Sequence, residues 1–587
     1  MKRQLVSLLL VVVLLLTMVM AVACNQSTGN DTTAAAGNDT TAAAGDDTTA
    51  AAVSDEDLEV VTILCKSLNS NQSPGMRYSE NPRWESIPMV QKLYDKFAEV
   101  GVRLEYEVID DEQYSESVKT RLMTGVDLPE IILNPGLSEV EAINAGEAGI
   151  VCDVSALVDQ YDEDGSIKQY WKDMVGAAMA EITTEDGNIW WFPYTYHREY
   201  LNDDGTEAKD HYDVSFHVSI REDWLTALGQ EWKIFYTPEE LIEVLDAFNK
   251  NDANGNGVQD EVISNFSTRF GTGFEQGFNM GYGLVYVLND GKGVQCNLYN
   301  ENLADYVAFM QELYNRGLID TTVLNGTDVN SANRSSTYST YGGQTWGEAA
   351  ITGYEDTAIY SPIIIDDDEG ENGYSVYMRD NKQMVLGKWF VNAQSEHLEA
   401  VVKVMDVLYT EEVAHMMTWG EEGLTYDVED GIIMARKSDD AGFNGNVPTC
   451  RGMIGNNALP NVYDCRETRE GYFHTQLHID KYYAKDAMIE YVYDHDDKCT
   501  FQESVLPYAM LTNDERETIS ALQTTLETYI DEMMLKLFTG EYSMDDYPTY
   551  LAELESMGLK DYIAVYEARH QRWVDYANAN GIESLYN

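Results

Sequence analysis

The chain has 587 residues, too long for one compact core and enough for two to four domain-sized units. Its composition is globular, 44% hydrophobic and 11% aromatic, with tyrosine the dominant aromatic. Against 38 basic residues stand 101 acidic ones, a formal charge of −63 that repels phosphate backbones and argues against nucleic acid and broad anionic-lipid contact.

"MKRQLVSLLLVVVLLLTMVMAVAC" opens the chain with Lys2 and Arg3, an apolar run, and small residues ahead of Cys24. Residues 1–23 read as a secretory signal rather than a fold element. A single membrane span is the competing reading of so long an apolar run. Its ending weighs against that: "AVAC" resembles a bacterial lipobox, whose cysteine becomes the lipidated N-terminus. Cys24 is therefore expected to hold the protein on the extracellular face of the cell membrane by acyl chains, each buried methylene contributing about 0.8 kcal/mol. Residues 24–57 follow as a tether. They carry "GNDTTAAA" twice and "GDDTTAAA" once, with alanine as the apolar residue of the repeat, which cannot bury a core. A flexible chain of that length has an end-to-end distance of about 25–30 Å.

The folded part begins near Leu58. "LEVVTILCKS" is a continuous apolar run suited to a buried strand. "ESIPMVQKLYDKFAEVGVRLEYEVID" reads as a helix stopped by Gly101 and then a strand, and "SESVKTRLMTGVDLPEIILN" repeats the alternation. Helices alternating with apolar strands predict α/β layering on a mainly parallel sheet. A second α/β set starts near residue 190, with "VSIREDWLTALG" entering a helix that stops at Gly229. In "TPEELIEVLDAFNKN", Thr237, Pro238 and Glu240 form a capping box with proline at the first helical position. "SEHLEAVVKVMDVLYTEEVAHMMTW" is amphipathic at helical spacing. Near the C-terminus, Ile519, Leu522, Leu526, Ile530, Met533 and Leu537 share one helical face, ended by Gly540.

Directly after the capped helix comes "NDANGNGVQDEV", a turn crowded with carboxylates that repel one another unless a cation sits among them. Asp252, Asn254 and Asn256 occupy positions 1, 3 and 5 of a calcium loop, Gly257 the sharp turn at position 6, Val258 the carbonyl at 7, and Asp260 position 9. Oxygen-only ligands suit a hard cation, calcium over zinc. Position 12 is Ile263 rather than glutamate, and Glu261 at position 10 can supply the missing carboxylate. The bland alternative is an Asn-Gly turn with solvated acids. Because the loop follows a helix and leads into an apolar stretch, its ion is expected to be structural.

Aromatic clusters mark the candidate ligand surface: "GNIWWFPYTYHREY", "GGQTWGEAAITGYEDTAIYSP", "LGKWFVN" and "MMTWGEEGLTY". Tryptophan beside glycine, amides and carboxylates is what a sugar site needs, a flat apolar face with hydrogen-bonding groups around it. Ordinary core packing is the alternative for any one of them. Six cysteines remain after Cys24, namely Cys65, Cys152, Cys296, Cys450, Cys465 and Cys499; outside the cell they allow 15 pairings, or stay as buried thiols.

Together these stretches resemble the bacterial extracellular solute-binding lipoproteins of ABC importers, in their larger oligosaccharide-binding branch. The resemblance runs over about residues 58–580. It is carried by the lipobox, "MTGVDLPEIIL", "GNIWWFPY", "SIREDWLTALG", "YTPEELIEVLDAFNKNDANGNGVQDEV", "WGEEGLTYDVEDG" and "YPTYLAELESMGLKDYIAVYEARHQRWVDY". It implies a two-lobed periplasmic-binding-protein-like α/β fold, each lobe a layered sheet, joined by hinge strands that close on a sugar. The implied lobes are 58–189, 385–440 and 512–587 for the first, and 190–384 and 441–511 for the second. Calcium binding is implied for Asp252, Asn254, Asn256, Val258, Asp260 and Glu261. Positions expected at the cleft are Asn69, Asn134, Trp191, Tyr194, Trp346, Trp389, Trp419 and Glu422. Partners implied are an oligosaccharide and ABC permease subunits, with the membrane met through the lipid anchor only and the protein a monomer. A secreted glycan hydrolase and a non-transport glycan receptor are the alternatives. Carboxylate pairs carry no information among 101 acids, there is no G-x-S-x-G, and "HTQLH" lacks the glutamate of a zinc protease, so no enzyme is expected.

Overall fold

In the computed structural model the residues described are 58–66, 88–201, 217–258, 261, 268–319, 340–343, 360–366, 376–379, 383–418, 420–423, 426–429, 432–435, 462–468, 491–492, 495, 499–503 and 506–582. The chain separates into residues 1–52, which lie outside that set, and residues 53–587, which carry every element below. The lipid-anchor and tether expectations therefore fall outside the described residues.

The first apolar run is strand β1 (Glu59–Lys66), followed by α1 (Pro88–Glu99), β2 (Val102–Ile109), α2 (Asp111–Thr124) and β3 (Ile131–Leu133). Glycines stop both helices where expected. Gly125 closes α2 at φ 65°, its N–H donating to the Arg121 carbonyl at 2.8 Å. A side chain is strained at that angle, so glycine is the residue that suits the stop. β1 pairs in parallel with β2 on one side and with β3 on the other. After α3 (Glu139–Glu147) and α4 (Val154–Tyr161), β4 (Phe192–Leu201) extends the same sheet.

The chain then builds a second sheet. Its strands are β5 (His217–Arg221), β6 (Phe235–Tyr236), β9 (Thr340–Gly343) and β10 (Tyr360–Ile365), in the order β6-β10-β5-β9. Between them lie α5 (Glu222–Ala227), α6 (Pro238–Lys250), the hairpin β7 (Val285–Val287) and β8 (Val294–Cys296), and α7 (Leu303–Asn315). Beyond β11 (Val376–Arg379), β12 (Gln383–Val391) returns to the first sheet, antiparallel to both β3 and β4, and α8 (Leu398–Leu408) and the hairpin β13 (Tyr426–Glu429) and β14 (Ile432–Ala435) follow. With β15 (Val462–Thr468) at its edge the first sheet reads β15-β4-β12-β3-β1-β2. It is mixed rather than mainly parallel, because the strands that pass between the two layers run through it. These two α/β layers are the basis of the two lobes.

β16 (Thr500–Glu503) pairs with β11, and the chain ends in three helices, α9 (Asn513–Phe538) and α10 (Tyr547–Ser556) before α11 (Leu559–Asn580). The predicted face of α9 is buried at Ile519, Leu526, Ile530, Met533 and Leu537. α9 starts beside the first layer, where Arg516 reaches Glu147 at 2.7 Å. It ends beside the second, where Gln311 of α7 donates to the Leu537 carbonyl at 2.6 Å. Among the described residues no helix is long and apolar enough to cross a membrane.

Candidate functional site

The acidic loop follows α6, whose capping box forms as the sequence predicts. Thr237 Oγ1 accepts from the Glu240 N–H at 3.2 Å, and Glu240 Oε2 accepts from the Thr237 N–H at 3.0 Å. Past Lys250 the chain turns through Gly255 (φ 71°) and Gly257 (φ 83°). Asp252 Oδ1 and Oδ2 accept from the N–H groups of Asn256 (3.0 Å) and Gly257 (2.8 Å). Asn254 Oδ1 accepts from Asn256 N–H at 3.0 Å, and Asn256 Oδ1 from Val258 N–H at 2.7 Å. These bonds tie the side-chain oxygens to the backbone of the turn. Asp260 lies outside the described residues.

Glu261 closes the loop. Its Oε1 accepts from the N–H groups of Ala253 (2.6 Å) and Asn254 (3.3 Å), while the residue is only 9% exposed. Its other oxygen, Oε2, is buried without a hydrogen-bond partner. An orphaned carboxylate oxygen costs about 1–3 kcal/mol or more, and a cation beside it removes that cost. The donor set is all oxygen, so the residues present fit a hard cation such as calcium.

The second place of interest is the carboxyl end of β3. In a sheet ordered β4-β12-β3-β1-β2 the chain leaves β1 towards β2 and leaves the neighbouring β3 towards β4, in opposite directions, and ligands of open α/β sheets collect where the order reverses. Asn134 stands there, at φ 42°. Its N–H donates to the Lys388 carbonyl (2.9 Å) and its Oδ1 accepts from the Lys388 N–H (2.8 Å), so the side chain prolongs the β3–β12 ladder by one pair. Lys388 itself was quoted in the sequence but not singled out. Its Nζ sits 4.7 Å from the centre of the Trp191 ring and 3.4 Å from the Leu137 carbonyl. Burial, with Arg569 adding to it, holds this ammonium below the usual lysine range, against the pull of Glu139 and Glu141.

The expected cleft residues divide. Asn134 is at the reversal point. Trp191 and Trp389 are corrected from open walls to core, at 2% and 1% exposed. The reason is the antiparallel β12–β4 pair, central in a sheet covered on both faces: Trp191 lies against Phe390 at 5.8 Å, and Trp389 pairs in register with Phe192. Tyr194 is in β4 opposite Gly387, where the register slips, and its side chain is outside the described set. Glu422 is exposed. Asn69, Trp346 and Trp419 lie outside the described residues, as do Cys450 and the side chain of Cys465; Cys65, Cys152, Cys296 and Cys499 are outside any disulfide.

A feature no local pattern announces grips the chain where it leaves β16 for α9. Arg569 of α11 donates from Nε to the Ala509 carbonyl and from Nη2 to Glu139 Oε2, both at 2.7 Å. Arg572 Nη2 donates to the Met510 carbonyl at 3.0 Å. Beside them the Glu181 carboxyl accepts from Trp573 Nε1 at 3.2 Å, and burial, reinforced by Glu503, pushes its pKa up to about 8.

No family model matches the chain. It is 24% identical over 506 residues to the fructooligosaccharide ABC transporter substrate-binding protein FusA of Streptococcus pneumoniae serotype 4, covering 82% of this chain and 86% of that one. The structure of the S. pneumoniae FusA protein in complex with kestose superposes with a TM-score of 0.63 at 22% identity, over 88% of this chain and 100% of that one. An EF-hand mutant of FusA in complex with fructo-nystose gives 0.63 at 21%, over the same shares. The fold is that of the two-lobed substrate-binding proteins of ABC transporters.

Proposed function

We propose that the protein captures an oligosaccharide between its two lobes and delivers it, unaltered, to an ABC permease, from a lipid anchor on the extracellular face of the membrane. The observation that carries this reading is the length of the likeness: the fold follows a kestose-bound substrate-binding protein over 88% of this chain and all of the other. The sugar sits at the reversal point of the first sheet. Asn134 and Lys388 form its base, with Asn69, Tyr194, Trp346, Trp419 and Glu422 offering ring faces and polar groups around it. Trp191 and Trp389 stiffen that base from beneath. Closure is a hinge motion whose closed population rises because the ligand touches both lobes only there. The lobes follow the boundaries given above except at β4 and β15, which pair within the first sheet and so belong to the first lobe, and the protein acts as a monomer.

Calcium is the ion of the loop, held by Asp252, Asn254, Asn256, the Val258 carbonyl, Asp260 and Glu261. What supports it here is the buried, unpartnered Glu261 oxygen and an oxygen-only lining. Its role is to staple the exit of α6, with no part in bond chemistry. Cys24 carries the lipid.

The test is calorimetric titration of the protein, calcium present, with a panel headed by kestose and nystose, followed by mass analysis of the sugar. Saturable binding with the sugar recovered intact is expected. Silence across the panel, or cleaved product, overturns the proposal.

A further inference from the structure

A cavity of about 1010 Å³ opens away from the reversal point, between the β7–β8 hairpin, the turn before α7 and the first half of α11. Neither Asn134, Trp191, Lys388 nor Trp389 lines it. Its floor is apolar, with Tyr286 and Val376 each 1% exposed. Its wall holds an aromatic ring in a fixed pose. Tyr299 is 43% exposed, yet its hydroxyl donates to Glu555 Oε1 at 3.0 Å, and Glu555 in turn holds Lys560 at 2.9 Å. An exposed ring that has already lost its rotamer freedom stacks on a ligand at little further entropic cost.

The charges around the cavity select the ligand. Both lysines on its wall are engaged, Lys560 with Glu555 and Lys292 with Asp290 at 2.9 Å. Two carboxylates, Glu301 and Glu567, are exposed and have no hydrogen-bond or ion-pair partner among the described residues. The free charged groups are thus acceptors, and they disfavour an anion. A cation would meet Lys292 and Lys560 on the same wall. An apolar molecule would leave the acceptors dry and unpaired. A neutral ligand rich in hydroxyl donors, with a C–H face for the ring, satisfies all of these at once.

We infer that this cavity is a second carbohydrate site, for a neutral sugar segment stacked on Tyr299 with its hydroxyls donated to Glu301 and Glu567. The inference rests on the reading of the chain as a sugar-binding protein. Ile563 also lines the cavity and supplies a reporter. Protein carrying 13C-labelled isoleucine δ1 methyls, with Ile563→Val to assign the signal, is titrated with kestose, nystose and maltotriose in parallel with calorimetry. The expected result is a saturable shift of the Ile563 methyl at a sugar concentration different from that of the calorimetric event. Tyr299→Ala should weaken the shift about tenfold or more and leave the calorimetric event unchanged, and Glu567→Gln should weaken it in a fully folded background. An Ile563 signal that stays still, follows the calorimetric event alone, or ignores both substitutions overturns the second site while leaving the proposed function standing. Absence of heat and of shift with every sugar overturns both.

Discussion

The loop after α6 and the seam between β3 and β12 are two ways of holding a chain in place, and they differ in how far apart the partners lie. In the loop every bond from Asp252 to Glu261 spans no more than eight residues. In the seam Asn134 meets Lys388 across 254 residues. The loop is held by backbone N–H groups donating to side-chain oxygens, for which a shared cation is proposed above. The seam is held by backbone pairing and apolar rings. Local order of the first kind depends on solution conditions, whereas order of the second kind depends on the core being complete.

The largest effect should come from the seam. Trp191→Ala is expected to lower stability by about 3–5 kcal/mol, the cost of an aromatic cavity in a packed core, read by urea unfolding. A stable variant that merely loses sugar affinity would instead put the ring in the cleft and erase the contrast. Next comes the ion. Stripping calcium should lower the melting temperature by the linkage energy, about 2.7 kcal/mol at a calcium concentration 100-fold above its dissociation constant, and adding it back should restore the melt. Glu261→Ala should melt low and ignore calcium. An identical melt in metal-free buffer would remove the loop's dependence on an ion.

Smaller again is Asn134→Ala, which leaves the Lys388 N–H without its acceptor and should cost about 1–3 kcal/mol. Asn134→Asp keeps an acceptor there and should recover most of the loss; equal losses in the two variants would show that the side-chain oxygen is not what holds the seam. The last is a slope rather than a step. Glu181, with its pKa raised from 4.5 to about 8 in the fold, favours the folded state fully below about 4.5, and that contribution is lost as pH rises through about 8. Glu181→Gln should flatten the decline of melting temperature across that window. The buried Glu275 carboxyl, raised in the same direction by burial, keeps the flattening partial.

The same contrast explains what could be read from sequence. The capping box at Thr237 and Glu240 and the stop at Gly101 are decided within a few residues, and each is where it was expected; the spacing of Asp252, Asn254 and Asn256 is equally local. The strands β1 and β3 were legible because a sheet covered on both faces demands unbroken apolar runs, and β2, at the sheet edge, because its apolar residues alternate with charged ones. That demand also misled: in such a strand neither face is marked as open, so nothing in "NIWWFPY" or "LGKWFVN" separates a ring in the core from a ring on a wall. Lys388 was invisible for a related reason, since its Trp191 partner is fixed by the register of β12 on β4. The return of β12 between β3 and β4, which makes the first sheet mixed, is likewise a long-range fact.

The arginine at 569 has a consequence for how the protein is made. It joins α11 to Glu139 across 430 residues, so a contact that steadies the first layer is contributed by the last of the described helices. Contacts so distant along the chain close late in folding. A polypeptide made from its N-terminus would leave Glu139 unlatched until residue 569 has been added. Trimming by a protease near the C-terminal end would then disable the molecule as thoroughly as damage at its heart.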